Sequence, residues 1–354
     1  MSDRRLFFTT CTQRCAPWLD GAGPDSDIVI STRLRLARNL VGHFFSHHAS
    51  DQELRALREM VSDRLLDCPA FAGGCSLDLE TLEPTERKCL LEMHLASPAL
   101  IRVPEGRGLV VEPDCTRSVM INEEDHLRLQ VFRAGFQPRE TCSGALDLDR
   151  EVESELEFAF SEELGYLTAC PTNLGTGLRI SVLIHLPGLV MAGEIEKILN
   201  SLRQLQFAVR GLFGEGSAVR GALFQVSNLV TLGRSEQQIT EDFARHVSRV
   251  LEYERMAREQ LISRNRVGVE DMVFRSIAIL GQARLITTQE ALDRLSHVRM
   301  GVSLGLVPRF DMKLLNRALV QQRSAHLQLR AGRKLDGRER TELRARYLRE
   351  LLAE

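Results

Sequence analysis

The chain has 354 residues, 44% hydrophobic and 27% charged, enough for two domains and a large buried core. Its net charge of −2 excludes a nucleic-acid-coating protein, because phosphate neutralisation needs a clustered excess of Lys and Arg. No window approaches the ~20 apolar residues of a membrane span. The start, MSDRRLFFTTCTQRC, lacks the apolar stretch of a secretory signal, so a cytoplasmic protein with no membrane or direct nucleic-acid partner is expected.

Up to about residue 235, Gly and Pro punctuate short runs of alternating apolar and polar residues. DIVISTRLRLA, GRGLVVEP, RSVMINEEDHLRLQVF, LRISVLIHL and ALFQVSNLV read as strands. Helical patterns lie between them at Asp51 to Asp67, Pro84 to Ala96, Leu148 to Glu163 and Gly193 to Leu205. Strands joined partly by turns and partly by helices predict an α+β fold with a largely antiparallel sheet flanked by helices. Ser235 with Gln238, and Thr287 with Glu290, form capping boxes that open helices. A long helix starts at Ser235. Breaks follow near Asn265–Gly268, Gly281–Thr288, Gly305–Pro308 and Gly332–Gly337. The expected organisation is an N-terminal segment over 1–23, a catalytic α+β domain over 24–252 and an all-α domain over 253–354.

The eight cysteines at 11, 15, 68, 75, 89, 115, 142 and 170 form no CxxC pair, and most are expected to be inert core residues. No residue is assigned as a direct metal ligand.

Strand parity sorts the charged residues. Run as one strand, INEEDHLRLQ places Glu123 and Asp125 with the apolar Ile121, Leu127 and Leu129. Glu124, His126, Arg128 and Gln130 then share the other face. A turn inside NEEDH would break that parity, and a charged hairpin tip is the alternative. In DIVISTRLRLARN, Arg33 and Arg35 share a face with Val29, Ser31 and Ala37, opposite Ile30, Leu34 and Leu36. Arg179 shares one with Ser181 and His185. Arg210 precedes a Gly-rich turn carrying Glu215. Five arginines on strand-like segments suit a polyphosphate, since guanidinium is always charged and grips phosphate oxygens in bidentate fashion. No GxxxxGK[ST] or helix-opening GxGxxG is present, so side chains would replace a backbone phosphate nest.

STRLRLARNL, NEEDHLR, CPTNLGTGLR and RGLFGEGS, in that order, resemble the phosphagen (guanidino) kinases over about Asp25 to Glu252. The likeness to bacterial protein-arginine kinases extends over the whole length, including GPDSDIV and the helical tail. Small-molecule phosphagen kinases carry a helical domain ahead of the STRxR strand. Only about thirty residues precede it here, which fits an open acceptor site for a protein side chain.

The resemblance implies a phosphagen kinase/glutamine synthetase-like catalytic fold that uses ATP and Mg²⁺. Glu124, Cys170 and Glu215 would be catalytic. Arg33, Arg35, Arg128, Arg179 and Arg210 would hold the phosphates, with His94 at the nucleotide. Segments around them, Ser31, Thr32, Leu34, Ile180, Ser181, Val182, Leu183, Gly211, Leu212, Phe213 and Gly214, would complete the ATP site. Arg340, Thr341, Arg344 and Ala345 match the family's RDxxRA phosphoarginine-sensing motif, with Thr341 in place of the acid. By resemblance, the partners would be arginine-bearing protein substrates, stress-gene repressors and Clp protease components, and the chain would form a homodimer. The alternatives are a kinase of small guanidino compounds and a non-catalytic adaptor that binds nucleotide or phosphoarginine.

Overall fold

The computed structural model describes residues 2–211 and 220–353. Helix α1 (Ser2–Gln13) leads to strand β1 (Val29–Arg38), then α2 (Asp51–Asp67), β2 (Cys75–Asp78), α3 (Pro84–Glu92), α4 (Pro98–Arg102), β3 (Gly108–Val111), β4 (Arg117–Ile121), β5 (Leu127–Ala134) and α5 (Pro138–Glu153). Next come β6 (Phe160–Ser161), β7 (Gly165–Tyr166), β8 (Leu178–His185), α6 (Pro187–Met191), α7 (Ile195–Gln204), β9 (Phe207–Gly211) and β10 (Leu223–Asn228). The remainder is helical: α8 (Glu236–Gln282), α9 (Thr288–Ser303), α10 (Met312–Gln321), α11 (Ser324–Ala331) and α12 (Gly337–Leu351). Eight strands form one antiparallel sheet in the order β2-β3-β4-β5-β1-β8-β10-β9.

One face of the sheet buries Leu34, Leu36, Leu129, Ile180 and Val182 against Val61 of α2, Leu148 of α5 and Phe243 of α8. On the other face, Ile30, Phe132 and Leu223 pack with Val273, Leu295 and Leu315 of the C-terminal helices. Elsewhere this second face opens into a cavity bordered by the α3–α4 segment, and there the polar residues gather.

A bulge between Val29 and Ser31 changes the face reading at the start of β1. Val29 joins Leu34 and Leu36, while Ile30 turns to the helices. RSVMINEEDHLRLQVF is two strands with a turn over residues 122–126, not one. The helix expected at Leu148 to Glu163 lies ten residues earlier, with Pro138 in its first turn. Beyond Glu153 the acidic run has helix-forming composition, but Leu156 and Phe158 alternate into the core, so packing overrides propensity.

Ser235 and Gln238 make the reciprocal box that opens α8: Gln238 N donates to Ser235 Oγ (3.2 Å) and Ser235 N to Gln238 Oε1 (3.0 Å). At Thr287 the structure shows the Thr half, accepting from Glu290 N at 3.1 Å. Helix α8 runs through the expected boundary at 253 and is interrupted at Asn265 (φ −152°, ψ 65°). There the Asn265 side chain accepts from Gly268 N at 3.0 Å and restarts the helix like a cap.

Candidate active site

Register brings the arginines together. Arg35 of β1 lies opposite Gln130 of β5 on one side and Arg179 of β8 on the other. Arg33 lies between Phe132 and Ser181, Arg128 opposite Ala37, and Arg210 opposite Gln225. Paired residues project from the same face, so these side chains rise into one cavity of about 890 Å³. The cavity is also lined by His94, Glu123, Glu124, Cys170 and Arg102.

The cations press on one another. Burial, then repulsion from Arg128 and Arg210, lowers Arg33 to about 10. Burial first, then Arg33, Arg128 and Arg179, pushes Arg35 well below the usual guanidinium value, with Glu123 opposing. Arg179 is lowered by burial and by Arg210 and Arg128. Mutual repulsion in such a cluster is relieved by a bound anion, so its chemistry suits a polyphosphate. Local contacts aim the side chains: Arg33 Nε donates to Ser181 Oγ (3.4 Å) and its guanidinium lies 5.7 Å from the Phe132 ring centre. Arg179 Nη1 donates to Asn228 O at 3.3 Å.

The acidic turn separates its members. Asn122 adopts a left-handed φ of 57° and donates to Leu54 O and Gly106 O, both at 2.8 Å, while its N–H bonds His126 O to close the turn. Glu123 is tied to Ser97 Oγ and to Arg128 Nη1, with its side chain only 4% exposed. Glu124 takes one bond from Arg128 Nη2 at 3.2 Å and keeps a side chain 47% exposed at the cavity mouth. Asp125 is buried and accepts from Asn39 Nδ2 (2.8 Å), Ala169 N (2.7 Å) and Asn173 Nδ2 (3.4 Å). It thereby locks the segment carrying Cys170 to the turn carrying Glu124.

Cys170 lines the cavity half-buried, its Sγ 3.1 Å from Thr172 Oγ1. A buried pair behind it holds the loop: Arg38 donates to both oxygens of Asp149 (3.0 and 2.6 Å) and to Thr176 O (2.9 Å).

Alternation keeps several expected residues away from the cavity. Leu34, Ile180 and Val182 point into the core beneath the sheet. Thr32 is buried, donating to Gly135 O (2.7 Å) and accepting from Gln137 N (3.0 Å). Ser31, Leu183 and Gly211 do not line it, and Ser181 reaches it only through Arg33. Leu212, Phe213, Gly214 and Glu215 lie outside the described residues.

On α12, Arg344 is buried with Nε on Gln322 O (2.8 Å) and Nη1 on Ile286 O (3.1 Å). Arg340 Nη1 donates to Leu335 O (2.9 Å), Thr341 Oγ1 to Arg338 O (2.7 Å), and Ala345 is core.

Sequence reasoning left Glu123 and Asp125 without roles and did not find Asn39, Ser97, Asn173 or Arg102. Asn39 and Asn173 stand inside the quoted ARNL and CPTNL motifs, which was the available signal. Ser97 and Arg102 had none. Among the described residues, no group of three His, Cys, Asp or Glu side chains could hold a metal ion. Among the same residues, no helix is long and apolar enough to cross a membrane.

The sequence pattern described as "ATP:guanido phosphotransferase, C-terminal catalytic domain" matches residues 59–257, and that described as "Protein-arginine kinase McsB C-terminal domain" matches residues 266–354. The chain is 43% identical over 338 residues to the protein-arginine kinase of Brevibacillus brevis, covering 95% of this chain and 94% of that one. The chain belongs to the protein-arginine kinase family. Against the protein-arginine kinase of Bacillus cereus (strain G9842) the identity is 41%, covering 96% of each chain. Among solved structures, the duplicated taurocyamine kinase of Schistosoma mansoni matches with a TM-score of 0.60 at 27% identity, over 66% of this chain and 34% of that one. Lombricine kinase matches with a TM-score of 0.58 at 25% identity, over 68% of this chain and 70% of that one. Within the protein-arginine kinase family, then, this member shares its fold with the taurocyamine and lombricine kinases.

Proposed function

We infer that this chain transfers the γ-phosphoryl group of ATP to arginine side chains of proteins. The supporting observation is one cavity that joins an arginine cluster to Glu124 and Cys170. The arginines suit the triphosphate, and Glu124 with Cys170 suits a cationic planar acceptor. An acceptor guanidinium is a weak nucleophile with a pKa above ~12. To attack phosphorus, one nitrogen must shed a proton. Among the described residues, Glu124 is the solvent-reachable carboxylate of the cavity that can fix the guanidinium plane and take that proton. Arg128 bridges Glu123 and Glu124 and so couples the acceptor side to the phosphate side. Catalysis is then mainly alignment and charge neutralisation.

The donor set fits Mg²⁺ arriving on phosphate oxygens rather than in a protein cage, the usual habit of an ion that keeps its waters. When bound, it would neutralise charge on the transferring group. The same reading extends to a catalytic unit over 24–252, followed by helices that dimerise and sense phosphoarginine. It further extends to a cytoplasmic setting and to stress-gene repressors and Clp protease components as partners.

The test is incubation with ATP and a mixed proteome, followed by mass spectrometry under non-acidic conditions. Acid-labile phosphate on arginine is the expected product. ATP binding without any transfer would leave an adaptor.

A further inference from the structure

Arg323 stands in the short junction between α10 and α11, in the helical part of the chain, yet it reaches across to α3. Its Nη1 donates to Glu92 O at 3.2 Å, and its Nε donates to Leu319 O, also at 3.2 Å. Glu92 is the last residue of α3 and is buried. Its carboxylate accepts from Ala325 N (3.0 and 3.1 Å), His326 N (3.2 Å) and His326 Nδ1 (2.9 Å). The first turn of α11 is therefore docked on the C-terminal end of α3.

Two residues after Glu92 stands His94, in the cavity wall. Its φ of 59° is a conformation that side-chain-bearing residues adopt only under constraint. Three neighbours supply the constraint. Gln130 Nε2 donates to His94 O at 3.1 Å, Trp18 meets the imidazole edge-on at 6.0 Å, and the Glu92 anchor fixes the chain just upstream. Burial, then the charges of Arg323 and Arg33, hold the imidazole well below its usual pKa, which agrees with Arg323 lying beside it.

We propose that Arg323, through Glu92, is a positioning residue that sets His94 for the nucleotide, so that the C-terminal helices complete the ATP site from behind. This rests on the reading that His94 meets ATP. Arg323 acts on the backbone that carries His94 and touches no reacting atom. Without it, the end of α3 loses a carbonyl anchor and a charge beside Glu92. His94 then samples other positions while the sheet arginines stay in place. Binding of ATP suffers, and acceptor chemistry does not.

The test is a double-mutant cycle in the full chain with Arg323→Gln and His94→Ala, measuring KM for ATP, kcat and Tm with a denatured protein acceptor. The expected result is an ATP KM raised about tenfold by Arg323→Gln with kcat within about twofold, a range that small misplacements of a binding group produce. In the His94→Ala background, Arg323→Gln should add little, because coupled residues are non-additive. Arg323→Lys, which keeps the charge and one donor, should restore most of the ATP affinity. If Arg323→Gln fails to fold, Arg323→Met, which keeps an apolar stem without donors or charge, takes its place in the cycle. A raised KM for His94→Ala beside an unchanged KM for the folded Arg323 variant would overturn the proposal while sparing the nucleotide reading. Fully additive effects would overturn it in the same way. An unchanged KM for His94→Ala would overturn the nucleotide reading and the proposal together.

Discussion

Glu123 and Glu124 are sequence neighbours with opposite environments. Glu123 is consumed by Ser97 and Arg128, whereas nearly half of the Glu124 side chain faces solvent at the cavity mouth. Parity sorted Glu124, Arg128 and Gln130 onto the cavity side but sent Glu123 to the core, because it ran a strand through what is a turn. The same turn carries His126 inward to Leu40 N and Phe44 O rather than into the site. Glu124→Gln should cut kcat by roughly 10²-fold, the scale of losing a positioned base. ATP affinity should barely change, because Arg128 keeps Glu123; steady-state kinetics with ATP varied checks this. Cys170→Ser should lower activity without lowering Tm, since the loop is held by Asp125 and Arg38 rather than by the thiol. In the native enzyme Cys170 should be alkylated, more slowly with ATP and acceptor bound, and peptide mapping reads both rates. Failure of native Cys170 to alkylate would contradict its place on the cavity wall.

At the scale of elements, the legible part was what periodicity and punctuation carry. The arginine-bearing strands, the caps at Ser235 and Thr287 and the break at Asn265 all follow from local chemistry. The bulge after Val29 and the start of α5 at Pro138 did not, because each is decided by which residues the core accepts. The break between α10 and α11 also escaped notice. It has no Gly or Pro, and the buried Glu92 supplies what a capping side chain would. On α12, the i,i+4 arginines are unequal: Arg344 clamps two carbonyls, and half-buried Arg340 sits beside Thr341. If this helix end senses phosphoarginine, Thr341→Asp should tighten phosphoarginine more than inorganic phosphate, since only the former has a guanidinium for a carboxylate to pair. Calorimetric titration of both proteins with both ligands measures the difference. Equal gains would reduce the segment to a structural clamp.

At the scale of the whole molecule, buried histidines make the fold acid-sensitive. His185 is pushed well below its usual pKa by burial and by Arg299 and Arg258. His126 is lowered by burial despite its bond to Phe44 O. Leu40 N donates to His126 Nδ1, so protonating that nitrogen would break the contact. Unfolded histidines take a proton near pH 6.5. Their folded pKa values lie lower, so stability is full above that pH and falls as acid draws protons to the unfolded chain. The loss is up to about 1.4 kcal/mol per pH unit for each histidine. Urea unfolding at pH 7.5 and 5.5 should show it, and equal stability at both would mean that these histidines protonate in place. The sheet gathers the cationic cluster and the acidic turn into one cavity, and the central claim is that this cavity moves phosphate from ATP to arginine within a polypeptide. The most direct measurement is ³¹P NMR of the enzyme with ATP and either a denatured arginine-rich protein or free guanidino compounds, with the large and small fractions separated before recording. A phosphorus–nitrogen signal that stays with the protein fraction and disappears in acid is the predicted result. A signal confined to the small guanidino compounds, or only to phosphate esters, would contradict the account.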